Sequence, residues 1–404
     1  MAAMRIDAAS RTVTLDPCEP AFFNNPYPAY HEIRAAAPVF KWEEYGYWCF
    51  ARHDDVNALL RDRRFGRQIL HVATREELGW AETPGHLKPF YAFEQHSLLE
   101  LEPPVHTRLR SLVNRSFLSR QVERLRPAIT SLSNGLLDRI EAKGEADLLT
   151  EFATPIPVIV ICDLLGVPAD MAQQLLTWSH DMVAMYQARR DAAIEEAAVR
   201  ATIAFSDFMR TYIAERRKAP REDLLSELIR AEEQGAKLSE DELVTTAILL
   251  LNAGHEATVH AIGNAIKCLL EHNIRDGISE GHVEETLRYD APLHLFTRYA
   301  LEDLEFAGIR LKKGETVGLM LGAANRDPER FAEPDRFDPG RDPNPHVSFG
   351  AGIHFCIGAP LARLELQVAL PLLFQRFPRL ALAAPPQYRN AYHFHGLEHL
   401  SVTL

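Results

Sequence analysis

The sequence predicts a mainly α-helical protein with small β-sheets, an α+β arrangement. Three observations predict it. Residues 117–235 keep a helical period almost throughout, with breaks near Gly144, Gly166-Val167-Pro168, Lys218-Ala219-Pro220 and Gly235. Ser239-Glu240-Asp241-Glu242 sets a capping serine three residues before an acid, and the helical pattern it opens runs to about His272, a rod about 50 Å long. Short alternating apolar stretches bounded by turn residues lie toward the two ends of the chain.

Composition narrows the function classes. The chain has 404 residues, 47% apolar and 25% charged, which is ordinary for a globular protein with a large core. A net charge of −12 argues against nucleic-acid binding, which needs clustered Lys and Arg. Five scattered cysteines (Cys18, Cys49, Cys162, Cys268 and Cys356) suit a reducing compartment without a disulfide framework. Residues 1–20 carry charges and no apolar core, so neither a signal peptide nor a membrane anchor is expected there. The apolar runs 155–162 and 247–251 are too short to span a bilayer. The expectation is a cytoplasmic, monomeric protein with no membrane or nucleic-acid partner.

In chain order, residues 26–37 read as an amphipathic helix stopped by Pro38, and residues 39–42 and 47–51 as a hairpin. Residues 54–61 return to helical spacing. Residues 65–101 have no clear period and mix aromatic side chains with histidines, the pattern of a long surface loop with short helical pieces. Pro103-Pro104 then opens a basic helix containing His106 and Arg110, one turn apart. Within the long rod, Ala253-Gly254 leaves a flat place for close approach, and Glu256 is an acid in an otherwise apolar stretch. A buried lone carboxylate is costly, so it implies water, a partner or a proton-transfer role. Glu285 and Arg288 form an i,i+3 pair able to bridge on one helix face. Residues 304–311 and 316–321 read as strands around the turn Lys312-Lys313-Gly314-Glu315, and His393, His395 and His399 as part of a surface strand turn.

The stretch with the most chemistry is Phe349-Gly350-Ala351-Gly352-Ile353-His354-Phe355-Cys356-Ile357-Gly358. Two nearby glycines mark a backbone with positive φ or close approach. Cys356 has no neighbouring cysteine, and a helix begins just after Gly358 with Pro360 near its start. Amide donors and the helix dipole there favour a thiolate, which is suited to ligating one metal from one side.

This loop resembles the haem-binding loop of the cytochromes P450, Phe-Gly-x-Gly-x-His-x-Cys-x-Gly, and matches it at every fixed position. The resemblance extends to the other motifs in order and implies a single cytochrome P450 domain over residues 1–404, of the soluble bacterial type, with haem b between the long helix and the cysteine loop. It implies Cys356 as the proximal iron ligand, with Phe349, Gly350 and Gly358 shaping its loop, and His106, Arg110, Arg298 and His354 at the haem propionates. Glu285 and Arg288 become a structural bridge behind the haem, with Arg330 locking onto it. Phe90, Phe93, Ala253, Leu293, Leu295 and Phe394 become substrate contacts, with His294 or His395 as a polar handle.

One position departs from the family pattern. The acid of the oxygen-activating helix is normally followed directly by threonine; here Glu256 is followed by Ala257, and the hydroxyl comes at Thr258. One residue turns a side chain about 100° around the helix axis, so Thr258 need not reach the same water; Glu256 is expected to relay protons through water, with Thr258 or a substrate hydroxyl supplying the missing donor. The implied activity is a monooxygenase that inserts one atom of O2 into a mainly apolar substrate. No flavin, dinucleotide or iron–sulfur motif is present, so electrons come from a separate ferredoxin or flavodoxin with its reductase. Arg108, Arg115, Arg120 and Arg363 are the expected docking charges. The Ala257 departure keeps a peroxide-driven or dehydratase-type haem-thiolate enzyme as an alternative; a haem-based sensor is a more distant one.

Overall fold

The reciprocal cap predicted from sequence forms: Ser239 Oγ accepts from the Glu242 amide at 3.2 Å, and Glu242 Oε2 accepts from the Ser239 amide at 2.8 Å. It opens the helix Glu240–Glu271, which runs 32 residues without a break. The computed structural model describes residues 4–186, 190–233 and 238–404; the expected break at Gly235 lies outside them. The chain divides into two compact units. One comprises residues 1–69, 126–155 and 257–404, and the other residues 70–125 and 156–256.

Among the described residues, the sheets all lie in the first unit. Its largest sheet has seven strands in the order Arg5–Asp7, Thr12–Thr14, Val39–Trp42, Tyr47–Phe50, Thr316–Met320, Leu295–Ala300 and Phe65–Gly66. The hairpin expected near residues 39–51 is present, with Val39 opposite Phe50. The helices Tyr27–Ala36 and His53–Arg61 follow the predicted spacing. Thr316–Met320 lies parallel to Tyr47–Phe50 and antiparallel to Leu295–Ala300. Gly318 is required in that strand, because a β-carbon there would lie 2.7 Å from Cys49 Sγ. Two apolar clusters cover the sheet, one around Phe50, Leu59, Val317 and Leu319, the other around Phe22, Tyr30, Trp42 and Met320.

Two local expectations are corrected, and one unpredicted element is added. Residues 304–311 do not form one strand: they fold into a hairpin of Leu304–Phe306 and Ile309–Leu311, turned at Ala307 (φ 46°) and Gly308 (φ 75°). That positive-φ pair reverses the chain before Gly314 does, and it frees Thr316–Met320 for the main sheet. Residues 117–235 also contain a strand, Glu145–Asp147, which follows Gly144 and pairs with Ser401–Thr403. Its partner is more than 250 residues away, so no local pattern announces it. The N-terminal stretch, finally, contributes the paired strands Arg5–Asp7 and Thr12–Thr14.

The second unit is helical. It comprises Val105–Asn114, Pro155–Leu165 (from residue 156 on), Ala172–Val183, Ala192–Lys218 and Leu224–Glu233 together with the first half of the long helix. Residues 65–101 contain one real helix, Lys88–Glu94, whose Phe90 and Phe93 are buried while Tyr91 stays on the surface. Among the described residues, no helix is long and apolar enough to cross a membrane.

Candidate active site

Cys356 follows a single 3₁₀ turn, Gly352–His354, and precedes the helix Ala359–Arg376. Its amide donates to the Phe349 carbonyl at 2.9 Å, closing the loop on itself. Gly350 (φ 67°) and Gly352 (φ 70°) sit in the left-handed region. At Gly352 a β-carbon would lie 2.4 Å from the Leu60 carbonyl oxygen, so the loop can rest on the helix His53–Arg61 only because that side chain is missing. Gly358 caps the helix and Pro360 occupies its first turn, where no N–H is needed.

Cys356 is the exposed cysteine among the described residues; Cys49, Cys162 and Cys268 are buried and Cys18 half-buried. Burial pushes the Cys162 thiol up to about 12 and those of Cys49 and Cys268 higher still, so these three stay protonated and sealed from any ligand. One accessible sulfur at a helix start, on a loop held by glycines, is a donor set that fits a single-sided haem-iron ligand. His354 is half-buried two residues away, and Arg298 is buried on the strand Leu295–Ala300 with its guanidinium 5.8 Å from the Phe296 ring.

Behind the loop, Arg288 and Glu285 are fully buried on the helix Glu280–Tyr289 and bridge in two places, at 2.8 and 2.7 Å. Arg288 also donates to the carbonyls of Asn325, Pro334 and Arg336. Arg330 does not join them; it is exposed. The lock is Arg341, 3.4 Å from Glu285, helped by Asn344 at 3.2 Å and the Asp338 amide at 2.8 Å. The turn at Asp327 sends Arg330 outward, while the chain after Gly340 returns over the pair.

In the second unit, His106 is buried and Arg110 half-buried, one turn apart on Val105–Asn114. Glu256 is buried, and the stretch around it is less apolar than expected: Asn252, His255, Thr258 and His260 are buried there too. Its partners are His180 Nε2 at 3.1 Å and His255 Nε2 at 3.5 Å. Burial pushes the Glu256 carboxyl up, but the two histidines outweigh it and hold it well below the usual carboxylate range. His180, on Ala172–Val183, escaped the sequence reading; the signal available was the need of a buried acid for a partner. Gly254 corrects the flat-place expectation: a β-carbon there would meet Ile161 at 2.8 Å, so the glycine admits a neighbouring helix. Ala253 does keep an exposed face.

The expected substrate contacts have different surroundings within their own units. Leu295 packs into the core with Trp42 and Met320, because strand alternation turns it away from Phe296. Leu293 is bridged to Phe394, and both remain half-buried. Phe93 borders a surface cleft with Thr202, Arg210 and Asp241, and Phe90 packs edge-on against Tyr91. His294 and His395 are no handles. His294 Nδ1 lies 2.7 Å from the Tyr30 hydroxyl; His395 lies 3.2 Å from Asp290 and stacks on Tyr388 at 3.8 Å. His399 instead meets Asp147 at 3.0 Å, so His395 and His399 serve separate contacts. Two of the expected docking charges are already engaged: Arg108 with Glu242 at 2.5 Å and Arg363 with Glu284 at 2.6 Å, while Arg115 and Arg120 remain exposed.

A cysteine loop of this geometry, a buried Glu–Arg bridge behind it and a long helix carrying a buried acid define a haem-thiolate oxygenase. The cytochrome P450 family model matches residues 80–273 and 280–386, and the chain belongs to that family. It is 37% identical to the polyketide biosynthesis cytochrome P450 PksS of Bacillus subtilis, over 95% of this chain and 96% of that one. It is also 37% identical to 6-deoxyerythronolide B hydroxylase of Saccharopolyspora erythraea, over 94% and 96%. Among solved structures, P450BioI in complex with a hexadecenoic acid-ligated acyl carrier protein superposes with a TM-score of 0.88 at 35% identity, covering 95% of this chain and 99% of that one. Haem and O2 are the family's cofactor and cosubstrate, and its members oxidise small molecules with electrons from redox partners.

Proposed function

We propose that Cys356 would hold the haem iron through its thiolate, that His106, Arg110, Arg298 and His354 would neutralise the haem propionates, and that residues 1–404 work as one catalytic domain. The observation that carries this is the loop itself, in which Cys356 is accessible and Gly352 admits the Leu60 carbonyl. When bound, the haem supplies O2 activation and oxygen insertion into a C–H bond. The chain's part is to hold the thiolate at a helix start, balance the propionates and manage protons. Glu256 is held as an anion by His180 and His255, with His180 reaching solvent. In this reading the Glu256 anion orders the water through which protons are relayed inward from His180 at the solvent side, and Thr258 or a substrate hydroxyl supplies the donor that Ala257 lacks. The substrate is mainly apolar, contacted by Ala253, Leu293, Phe394, Phe90 and Phe93, in keeping with relatives named for polyketide biosynthesis, 6-deoxyerythronolide B hydroxylation and vitamin D3 25-hydroxylation.

Electrons come from a ferredoxin or flavodoxin with its reductase, docking near Arg115 and Arg120 in a monomeric, cytoplasmic enzyme. The test is product formed per reductant consumed, with purified redox proteins. Glu256→Gln should divert most electrons to peroxide, and Ala257→Thr should reduce that leakage. If both variants matched the parent, Glu256 would have no proton role. Turnover sustained by peroxide alone, and none with reductant, would favour the peroxygenase alternative.

A further inference from the structure

The Glu256 cluster has a feature that proton handling does not require. His255 Nδ1 lies 2.7 Å from the Leu251 carbonyl, an oxygen that can only accept, so Nδ1 carries the hydrogen. In the neutral ring, Nε2 is then a lone pair, and it faces the Glu256 carboxylate 3.5 Å away. Neither His255 Nε2 nor Glu256 Oε1, both buried, has a hydrogen-bond partner of good geometry among the described residues. Two inward-facing acceptors repel unless a proton or a metal ion sits between them, and the same two atoms that share a proton can share a metal. The third corner is His180 Nε2, 3.1 Å from the same Oε1, on a side chain 49% exposed.

We propose that His180, His255 and Glu256 form a site for a borderline divalent cation of the zinc class. The three donor atoms lie within 4.8 Å of one another. The two edges to Glu256, at 3.1 and 3.5 Å, bracket the edge of about 3.4 Å that tetrahedral zinc bonds impose. The Leu251 carbonyl is the outer-sphere acceptor that fixes a metal-binding imidazole. Two imidazoles and one carboxylate select zinc, nickel or copper over magnesium, which demands oxygen. The fourth position stays open, and the exposed ring of His180 gives the ion its entry. Occupancy would occupy the Glu256 carboxylate and slow proton delivery. That consequence, unlike the site, rests on the proton role proposed above.

The test uses untagged, haem-loaded enzyme dialysed against micromolar Zn2+. We expect one Zn2+ per chain in this site, affinity lowered about tenfold or more in His180→Ala and in His255→Gln, and no change in His399→Ala or with excess Mg2+. His180→Ala removes one partner of Glu256 and should lower the melting midpoint modestly while leaving a folded, haem-loaded protein, and anomalous scattering at the zinc edge in a soaked crystal of the parent should place the ion among the three side chains. No Zn2+ binding, affinity unchanged by His180→Ala, or an ion located elsewhere would overturn the proposal. If Glu256→Gln left coupling intact, the proton role would fail while the dialysis result still decided the site.

Discussion

Arg288 Nη2 lies 2.7 Å from Glu285 Oε1, with both side chains wholly shielded from solvent. The pair is closed from outside by Arg341 and Asn344, and it ties the helix Glu280–Tyr289 to the coil that leads to Cys356. Removing one partner leaves a buried charge unpaired. Glu285→Gln should therefore cost about 3–5 kcal/mol in denaturant unfolding and sharply reduce the yield of haem-loaded protein. A change under about 1 kcal/mol would mean the pair is incidental.

The two arginines near that pair should behave oppositely. Arg341→Ala strips a cation from Glu285 and should lower the thermal midpoint by several degrees, whereas Arg330→Ala, at an exposed position, should leave it within experimental error. Differential scanning calorimetry of both variants decides which arginine closes the bridge.

Glu284 sets an acid limit. Burial pushes its carboxyl up from 4.5, but hydrogen bonds from Arg363 and His346 outweigh that and bring it down to about 2. Because the folded value is depressed, the stabilisation is fully present above pH 4.5 and is lost as pH falls through about 2. Glu284→Gln should cost on the order of 1–3 kcal/mol at neutral pH. The gap to the parent should close between pH 4.5 and 2 in urea titrations. A gap that stayed constant with pH would point to lost packing instead.

Gly254 and Ile161 make a size-matched pair within the second unit. A β-carbon would stand 2.8 Å from Ile161 Cγ1, so Gly254→Ala should destabilise by about 1–3 kcal/mol despite the better helix propensity of alanine. Adding Ile161→Ala should restore part of that loss, and a double-mutant cycle measures the coupling.

Much of this was legible in the sequence, for physical reasons. Ser239 and Glu242 announced the long helix because capping is local chemistry, and the glycines around Cys356 announced a backbone that only glycine adopts. What stayed hidden depends on distant partners. The strand Glu145–Asp147 exists because Ser401–Thr403 pairs with it, and Arg341 rather than Arg330 reaches Glu285 because of how the coil after Asp327 turns. Leu295 and His294 looked like lining residues in a linear reading, but strand alternation and Tyr30 draw them into the core. His180 lies far from Glu256 in sequence and meets it only when its helix packs.

The central claim is thiolate ligation by Cys356. The most direct measurement is the absorption spectrum of the reduced, CO-bound enzyme, compared with that of Cys356→Ser. We predict the red-shifted Soret band of a thiolate-ligated haem in the parent and its complete loss in the variant, with haem still bound. A variant that kept the band would contradict the account.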